Sequence, residues 1–435
     1  MSFKHGIYIN ETYRTPEGMV SANSAIPFVV GTAGGQGATK TVPVNEPKLI
    51  NDFNEYKEWF GYTEPSAIQN STLKKFDWTL DEFAKAYFTL YRGTPAIFVN
   101  VQTPETIVEE VPTRTPATST DIIGAYNTST GVRTGLELYK EVYQRFNVVS
   151  SVLVCPQFSK LPAVAAAMIA LANTENMQFR PVALIDLPSG SFTLGGTTVS
   201  GPLTPSTVET YKTTNSLADT QAILSWPNFV YGNELYSASS HLAGLLMQTD
   251  NQQDGIPFAS PSNRPLKAIG LCDDAGSSVW LNIDQANTLN AVGVNTAFNS
   301  IRGWVYWGNM TSVYSYANRA QLQVKDYFLP IRRMFNWLNN SLILNFWSRI
   351  DTPATRRQIE AIVDSANIWL NSLVAGDYII GGRVEFNSAE NSAEDLMQGK
   401  VVFHVYFTPP SPMQEIDFLL EYDANYMSSV IGEEA

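Results

Sequence analysis

Cysteine is nearly absent. The 435 residues hold two, Cys155 and Cys272, with no scaffold or metal-ligand spacing. That excludes a disulfide-stapled secreted domain and a cysteine zinc site, and makes a reducing cytoplasm the expected place of folding. The three histidines, His5, His241 and His404, stand far apart and lack the H-E-x-x-H spacing of a metalloprotease. Long apolar runs are missing too. The longest, "LPAVAAAMIALA" (161–172), falls short of the ~20 residues a membrane-spanning helix needs. The N-terminus shows no apolar signal core, so neither membrane insertion nor Sec export is expected. Charge is sparse at 16%, and its balance of −13 argues against nucleic acid as the main partner.

What is present points to a large folded protein. With 44% hydrophobic and 12% aromatic residues, the chain is long enough for two or three domains, each with its own core. Few charges leave much uncharged surface, as subunits that bury surface against one another have. Residues 325–357 carry Lys325, Arg332, Arg333, Arg349, Arg356 and Arg357 against Asp326 and Asp351, whereas residues 385–435 are strongly acidic with Lys400 the lone base. These are either two solvated patches or complementary contact surfaces.

Both termini alternate apolar and polar residues with period 2, the pattern of a strand. At the start, "SFKHGIYIN" places Phe3, Ile7 and Ile9 on one face. Near the end, "EIDFLLEYD" (415–423) places Ile416, Phe418, Leu420 and Tyr422 opposite Glu415, Asp417 and Glu421. A lone strand leaves its backbone groups unpaired, so each needs a sheet, which need not be its own chain's. Between them, "AIPFVVGTA" (25–33) and "PAIFVNVQ" (95–102) predict buried strands, with helices near 52–60 and 77–91, the latter capped by Asp77 or Thr79. "NVVSSVLVCP", "LPAVAAAMIALANTEN" and "RPVALIDLP" predict a parallel βαβ crossover in a sheet covered on both faces. Residues 103–120 read as a surface connection and 189–215 as a hairpin-like excursion. Residues 325–347 predict a helix buried on more than one side. The spacing then predicts a helix over 353–375 with Thr352 as its cap, and "GKVVFHVYFTP" (399–409) a central strand.

Chemistry is thin. "GGQGATKT" (34–41) has Thr39 where a P-loop needs its second Gly, and Pro43 and Pro47 forbid the helix that should follow, so it reads as a glycine turn. Asp186 ends an apolar strand, where an α/β enzyme places an acid, but stands alone. Asp250 and Asp254 lack an EF-hand's spaced ligands, and His404 reads as a hydrogen-bonded core residue. No catalytic, cofactor or metal site is expected.

"SASSHLAGLLMQTDNQQDGIPFASPSNRPLKAIG" (237–270), "LNAVGVNTAFNSIRGWVYWGNMT" (289–311) and "LPIRRMFNWLNNSL" (329–342), with "FNEYKEWFG" and "VALIDLP" upstream, resemble the contractile tail sheath family of myophage tails, R-type bacteriocins and related injection systems. The resemblance implies an α/β, overall α+β, multidomain subunit. Its parts would be an arm and linker (1–24), a core (25–102 and 103–324, with a variable insertion at 189–215), a C-terminal domain (325–408) and a second arm (409–435). It implies six-fold rings stacked around an inner tube, with baseplate and terminator proteins as further partners, within a virion assembled in the bacterial cytoplasm. Arms would complete neighbours' sheets, with Ile7, Tyr8, Ile9, Ile416, Phe418, Leu420 and Tyr422 donated, and Val401, Phe403, Val405 and Phe407 accepting. Arg332, Arg333, Arg356 and Arg357 become candidates to face the tube. The competing readings are an α/β enzyme built around Asp186 and a secreted donor-strand fibre subunit.

Overall fold

Continuous apolar segments form the middle of one large sheet, as strands buried on both faces must. The computed structural model describes residues 19–69, 71–103, 106–108, 111–173, 179–423 and 426–427. Its main sheet comprises β1 (Pro27–Gly31), β2 (Lys48–Ile50), β3 (Ala96–Asn100), β4 (Val152–Val154), β5 (Val182–Asp186), β6 (Ala222–Ser225), β7 (Val294–Ser300) and β8 (Gly303–Trp307). The order is β8-β7-β6-β5-β4-β1-β3-β2. The inner six run parallel, and antiparallel β8 and β2 close the edges.

Alternation along β1 explains the double burial. Phe28 and Val30 enter one core with Ile97, Leu153 and Leu224, while Val29 enters the other with Phe98, Val154 and Ile223. Helices cover both faces: α1 (Phe53–Phe60) lies on the Val29 side, α2 (Pro162–Asn173) on the Phe28 side, and α3 (Ala238–Asn251) again on the Val29 side. The βαβ unit is present as β4-α2-β5, with its strands parallel. Residues 25–102 and 103–324 share the sheet, because β1 pairs with both β3 and β4. Within 189–215, Ser191–Leu194 pairs with Thr197–Ser200 in a hairpin, and the helix Val208–Thr214 follows.

Two helix starts differ from expectation. Neither Asp77 nor Thr79 caps the helix near 79: it begins after Trp78, Thr79 Oγ1 instead accepts from Thr32 N at 3.0 Å, and residues Lys85–Leu90 continue as a π-helix. Thr352 does not cap the late helix, because its hydroxyl donates to Arg349 O (2.6 Å) in the preceding turn. Thr355 takes the cap, accepting from Gln358 N at 3.3 Å.

Toward the C-terminus, α4 (Leu329–Phe346), α5 (Arg356–Ala375), β9 (Gly381–Glu385) and β10 (His404–Thr408) gather around a hydrophobic cluster of their own. Met334, Trp337 and Leu338 of α4 pack with Ala366, Trp369, Leu370 and Leu373 of α5 and Val384 of β9. As its apolar residues on several faces required, α4 is buried on more than one side. One stripe at four-residue spacing, Arg333, Trp337, Ser341 and Asn345, grips residues 20–24 by their backbone. Arg333 donates to Ser24 O (2.9 Å), Trp337 Nε1 to Ala22 O (2.9 Å), Ser341 Oγ accepts from Ala22 N (2.9 Å), and Asn345 holds both polar groups of Val20 at 2.8 and 2.7 Å. The segment entering the core is thereby strapped along α4.

Candidate assembly interface

The small sheet of β9 and β10 differs from the predicted central strand in two ways. Val401 and Phe403 precede the strand rather than belonging to it, both half-buried, with Phe403 packed against the helices. Second, β10 pairs with β9 alone among the described residues, so within one chain it is an edge. Sequence reading missed β9, since "GGRVE" carries a single apolar residue and two glycines. Val405 and Phe407 share the helix-facing side with Val384, and Phe407 meets Phe335 at 4.4 Å between ring centres. The opposite face is polar: Arg383 lies over Tyr406 (4.0 Å) and on Glu385 (2.6 Å). His404 is not a core residue. It is partly exposed, stacks on Tyr406 and meets Glu390 at 2.8 Å, because its position in the strand points to this outer face.

The backbone parity of this sheet follows from one contact. Val384 N donates to Asn367 Oδ1 (2.8 Å) and Asn367 Nδ2 donates to Val384 O (3.0 Å). Both polar groups of Val384 therefore face away from β10. In an antiparallel pair its partner Val405 then faces its own outer edge, as does Phe407 two residues on.

Beyond Thr408, Pro409 and Pro410 end the strand, and residues 409–423 carry no regular structure. The side chains predicted for donation are bare: Ile416 is 63% exposed, Phe418 84%, Leu420 97% and Tyr422 79%. Fully burying such side chains is worth ~1.5–3 kcal/mol each, so this is a large uncovered apolar strip. Ile7, Tyr8 and Ile9 lie outside the described residues.

The arginines divide. Arg333 does not face outward: it is 3% exposed, forks onto both carboxylate oxygens of Asp250, and so belongs to the junction between α3, α4 and the linker. A guanidinium with two aligned bonds to a buried carboxylate is a structural pair, which also accounts for Asp250. Asp254 accepts from Tyr378. Arg332 is half-buried beside Phe335. Arg356 and Arg357 are exposed at the start of α5, with Arg356 on Glu360 at 2.7 Å.

An α/β enzyme would bind its ligand where the strand order reverses, here between the C-terminal ends of β1 and β4. Side chains of the chain itself fill that place. Lys160 Nζ, fully buried, donates to Asp274 (2.7 Å), Asn228 (2.6 Å) and Gln157 (2.8 Å), and Gln157 donates to Glu82 (2.9 Å). Burial pushes the Asp274 carboxyl up, but Lys160 beside it prevails and holds it below the usual range. Asp186 is equally engaged, accepting from Ser159 Oγ (3.0 Å) and from Ser239 N (2.7 Å) at the start of α3. It caps a helix. The "GGQGATKT" segment forms turns, and its Lys40 pairs with Glu58 at 2.8 Å. Among the described residues no cluster of His, Cys, Asp and Glu is arranged to hold a metal, and no helix is long and apolar enough to cross a membrane. Sequence reading missed the Lys160–Asp274 pair, whose members lie more than a hundred residues apart and only meet in the fold.

No protein-family model matches the chain. Curated relatives do. The chain is 27% identical over 335 residues to the tail sheath protein of Burkholderia phage BcepMu, an alignment covering 73% of this chain but only 64% of that relative, less than two thirds of its length. To the tail sheath protein of Escherichia phage P2 it is 22% identical over 441 residues, covering 99% of this chain and 98% of that one. Among solved structures, the sheath complex of an extracellular contractile injection system, PVC, in its contracted state matches with a TM-score of 0.65 at 16% identity, covering 98% of this chain and 99% of that one. These relatives are sheath proteins, not enzymes, and the enzyme reading finds no support. By sequence the chain is similar to phage tail sheath proteins, and its fold is similar to that of a contractile injection system sheath.

Proposed function

We propose that this chain is the structural subunit of a contractile tail sheath, polymerising as stacked six-fold rings around an inner tube and shortening to drive the tube into a target envelope. The observation that carries the reading is the bare apolar strip at 416–422 beside a two-stranded sheet with an open edge, in a chain of sheath-like fold. A strand from one subunit would extend the sheet of the next. Val405 and Phe407 each offer an N–H and a C=O, four bonds at a net ~0.5–1.5 kcal/mol apiece, and burial of the donated side chains adds at least as much. Residues 1–14 of another neighbour would serve in the same way. Because arms leave and enter every subunit, the lattice holds by multivalency while subunits rotate between two packings.

Arg356 and Arg357 would face carboxylates on the tube, where exposed pairs are individually weak and so release readily. The baseplate and a terminator protein would cap the ends, and assembly would take place in the host cytoplasm before the particle joins a virion or injection machine. Negative-stain microscopy tests the reading. The full chain should form tubes, alone or on tube protein, and chains lacking 1–14 or 413–435 should stay monomeric. Tubes from both truncations would overturn strand exchange, and monomers from the full chain even with a tube template would overturn the sheath reading.

A further inference from the structure

The two outer edges of the small sheet are not equivalent. On β9 the edge-facing N–H and C=O of Val384 are both taken by the side-chain amide of Asn367, at 2.8 and 3.0 Å. A primary amide offers one acceptor and two donors on a flat frame, the same pattern as a peptide unit of an adjacent strand. Asn367 therefore stands where a third strand's backbone would stand. Its helix holds it there: Ala366 before it and Trp369 and Leu370 after it are buried in the domain core. On β10 no described side chain does the same for Val405 or Phe407. Apolar surface nonetheless flanks the covered edge, with Ile380, just before β9, 68% exposed and Ile368, next to Asn367, 72% exposed.

We infer that Asn367 guards the β9 edge in the free subunit, so that segment 415–423 of a second copy enters on β10, and that the β9 edge accepts a strand only once the Asn367 amide has swung away. The inference rests on the strand-exchange reading and adds an order to it. An unpaired edge is a template for indiscriminate pairing, and a chain carrying its own exposed strand at 415–423 is unusually open to that hazard. The outward polar groups of Val384 are thereby taken while those of Gly382 on the same edge are not, whereas on β10 those of both Val405 and Phe407 are open, so entry is favoured there. On β10 the alternation of 415–423 fits: Phe418 and Leu420 would join Val405 and Phe407 over the helices, and Asp417 and Glu421 would join the face that holds Arg383 and His404. Displacing the guard exchanges two side-chain bonds for two backbone bonds, so the step costs little once an arm is in place.

The test uses the full-length chain and its Asn367→Ala and Asn367→Asp variants, the Asp variant keeping an acceptor for Val384 N. Amide hydrogen exchange is read in the disassembled subunit, and the lag before tube formation is followed by light scattering with microscopy of the product. Asn367→Ala should speed exchange at Val384 at least tenfold with the interior amides of α5 unchanged. It should also shorten the lag or divert material into irregular aggregates, with Asn367→Asp intermediate. Unchanged exchange at Val384, or faster exchange with assembly kinetics identical to the parent chain, overturns the guard while strand exchange stands. Absence of tubes from the parent chain itself overturns both. Should Asn367→Ala not fold, Asn367→Asp carries the same comparison.

Discussion

At the scale of single residues, the buried charges are the sharpest points of stress. Arg333 and Asp250 lie 3% and 1% exposed, so removing either leaves the other charge buried without its counter-charge. Arg333→Met should lower the unfolding free energy by about 3–5 kcal/mol in denaturant titrations, and Arg333→Met with Asp250→Leu by clearly less than the sum of the single losses. Asp81 gives a pH dependence. Burial raises its carboxyl to about 7, against the bonds it accepts from Tyr56 and Thr63. The unfolded group titrates near ~3.9. The folded state thus keeps a proton that the unfolded chain has released, and this group's share of stability is complete below about pH 4 and lost as the pH rises toward 7. Asp81→Asn should flatten that part of the stability profile, and an unchanged slope would assign it to another group.

At the scale of elements, the parity of β10 makes neighbouring positions respond oppositely. Proline lacks the N–H, and the N–H of Val405 faces the open edge. Val405→Pro should therefore leave the subunit folded, with under about 1 kcal/mol lost, yet stop tubes forming, because an edge strand tolerates proline on its outward side. Tyr406 faces β9, so Tyr406→Pro should cost ~3 kcal/mol or more and loosen the domain itself. Thermal melts beside microscopy separate the two, and a larger loss of stability from Val405→Pro than from Tyr406→Pro would show the parity to be reversed. The strap along α4 has its own test: Trp337→Ala removes both a bond to Ala22 O and a core ring, and should cost ~3–5 kcal/mol.

At the scale of the whole molecule, the charge pattern predicts a division of labour. Arg356→Glu with Arg357→Glu should weaken co-sedimentation with tube protein while tubes of sheath alone form as before. An equal loss of both would place these arginines in contacts between sheath subunits. The tube contact should also weaken with salt, since exposed pairs are screened within ~8 Å at physiological ionic strength.

Sequence alone determined the βαβ unit, the two-faced burial of the central strands and the glycine turn at 34–41, whereas the strand predicted at 415–423 has no regular structure within the single chain. Each is a local pattern of side-chain period or turn chemistry, and local patterns survive folding unless packing opposes them. Tertiary structure decided the rest. It turned Arg333 inward, because a carboxylate on a distant helix offered two bonds. It put His404 on the outer face, because β10 begins there and its inner face is already filled by Val405 and Phe407. It filled the strand-end crevice with Lys160 and Asp274, and it set Asn367 against Val384. None of these could be read from spacing, since hydrogen-bond partners brought together across the fold leave no period in the sequence.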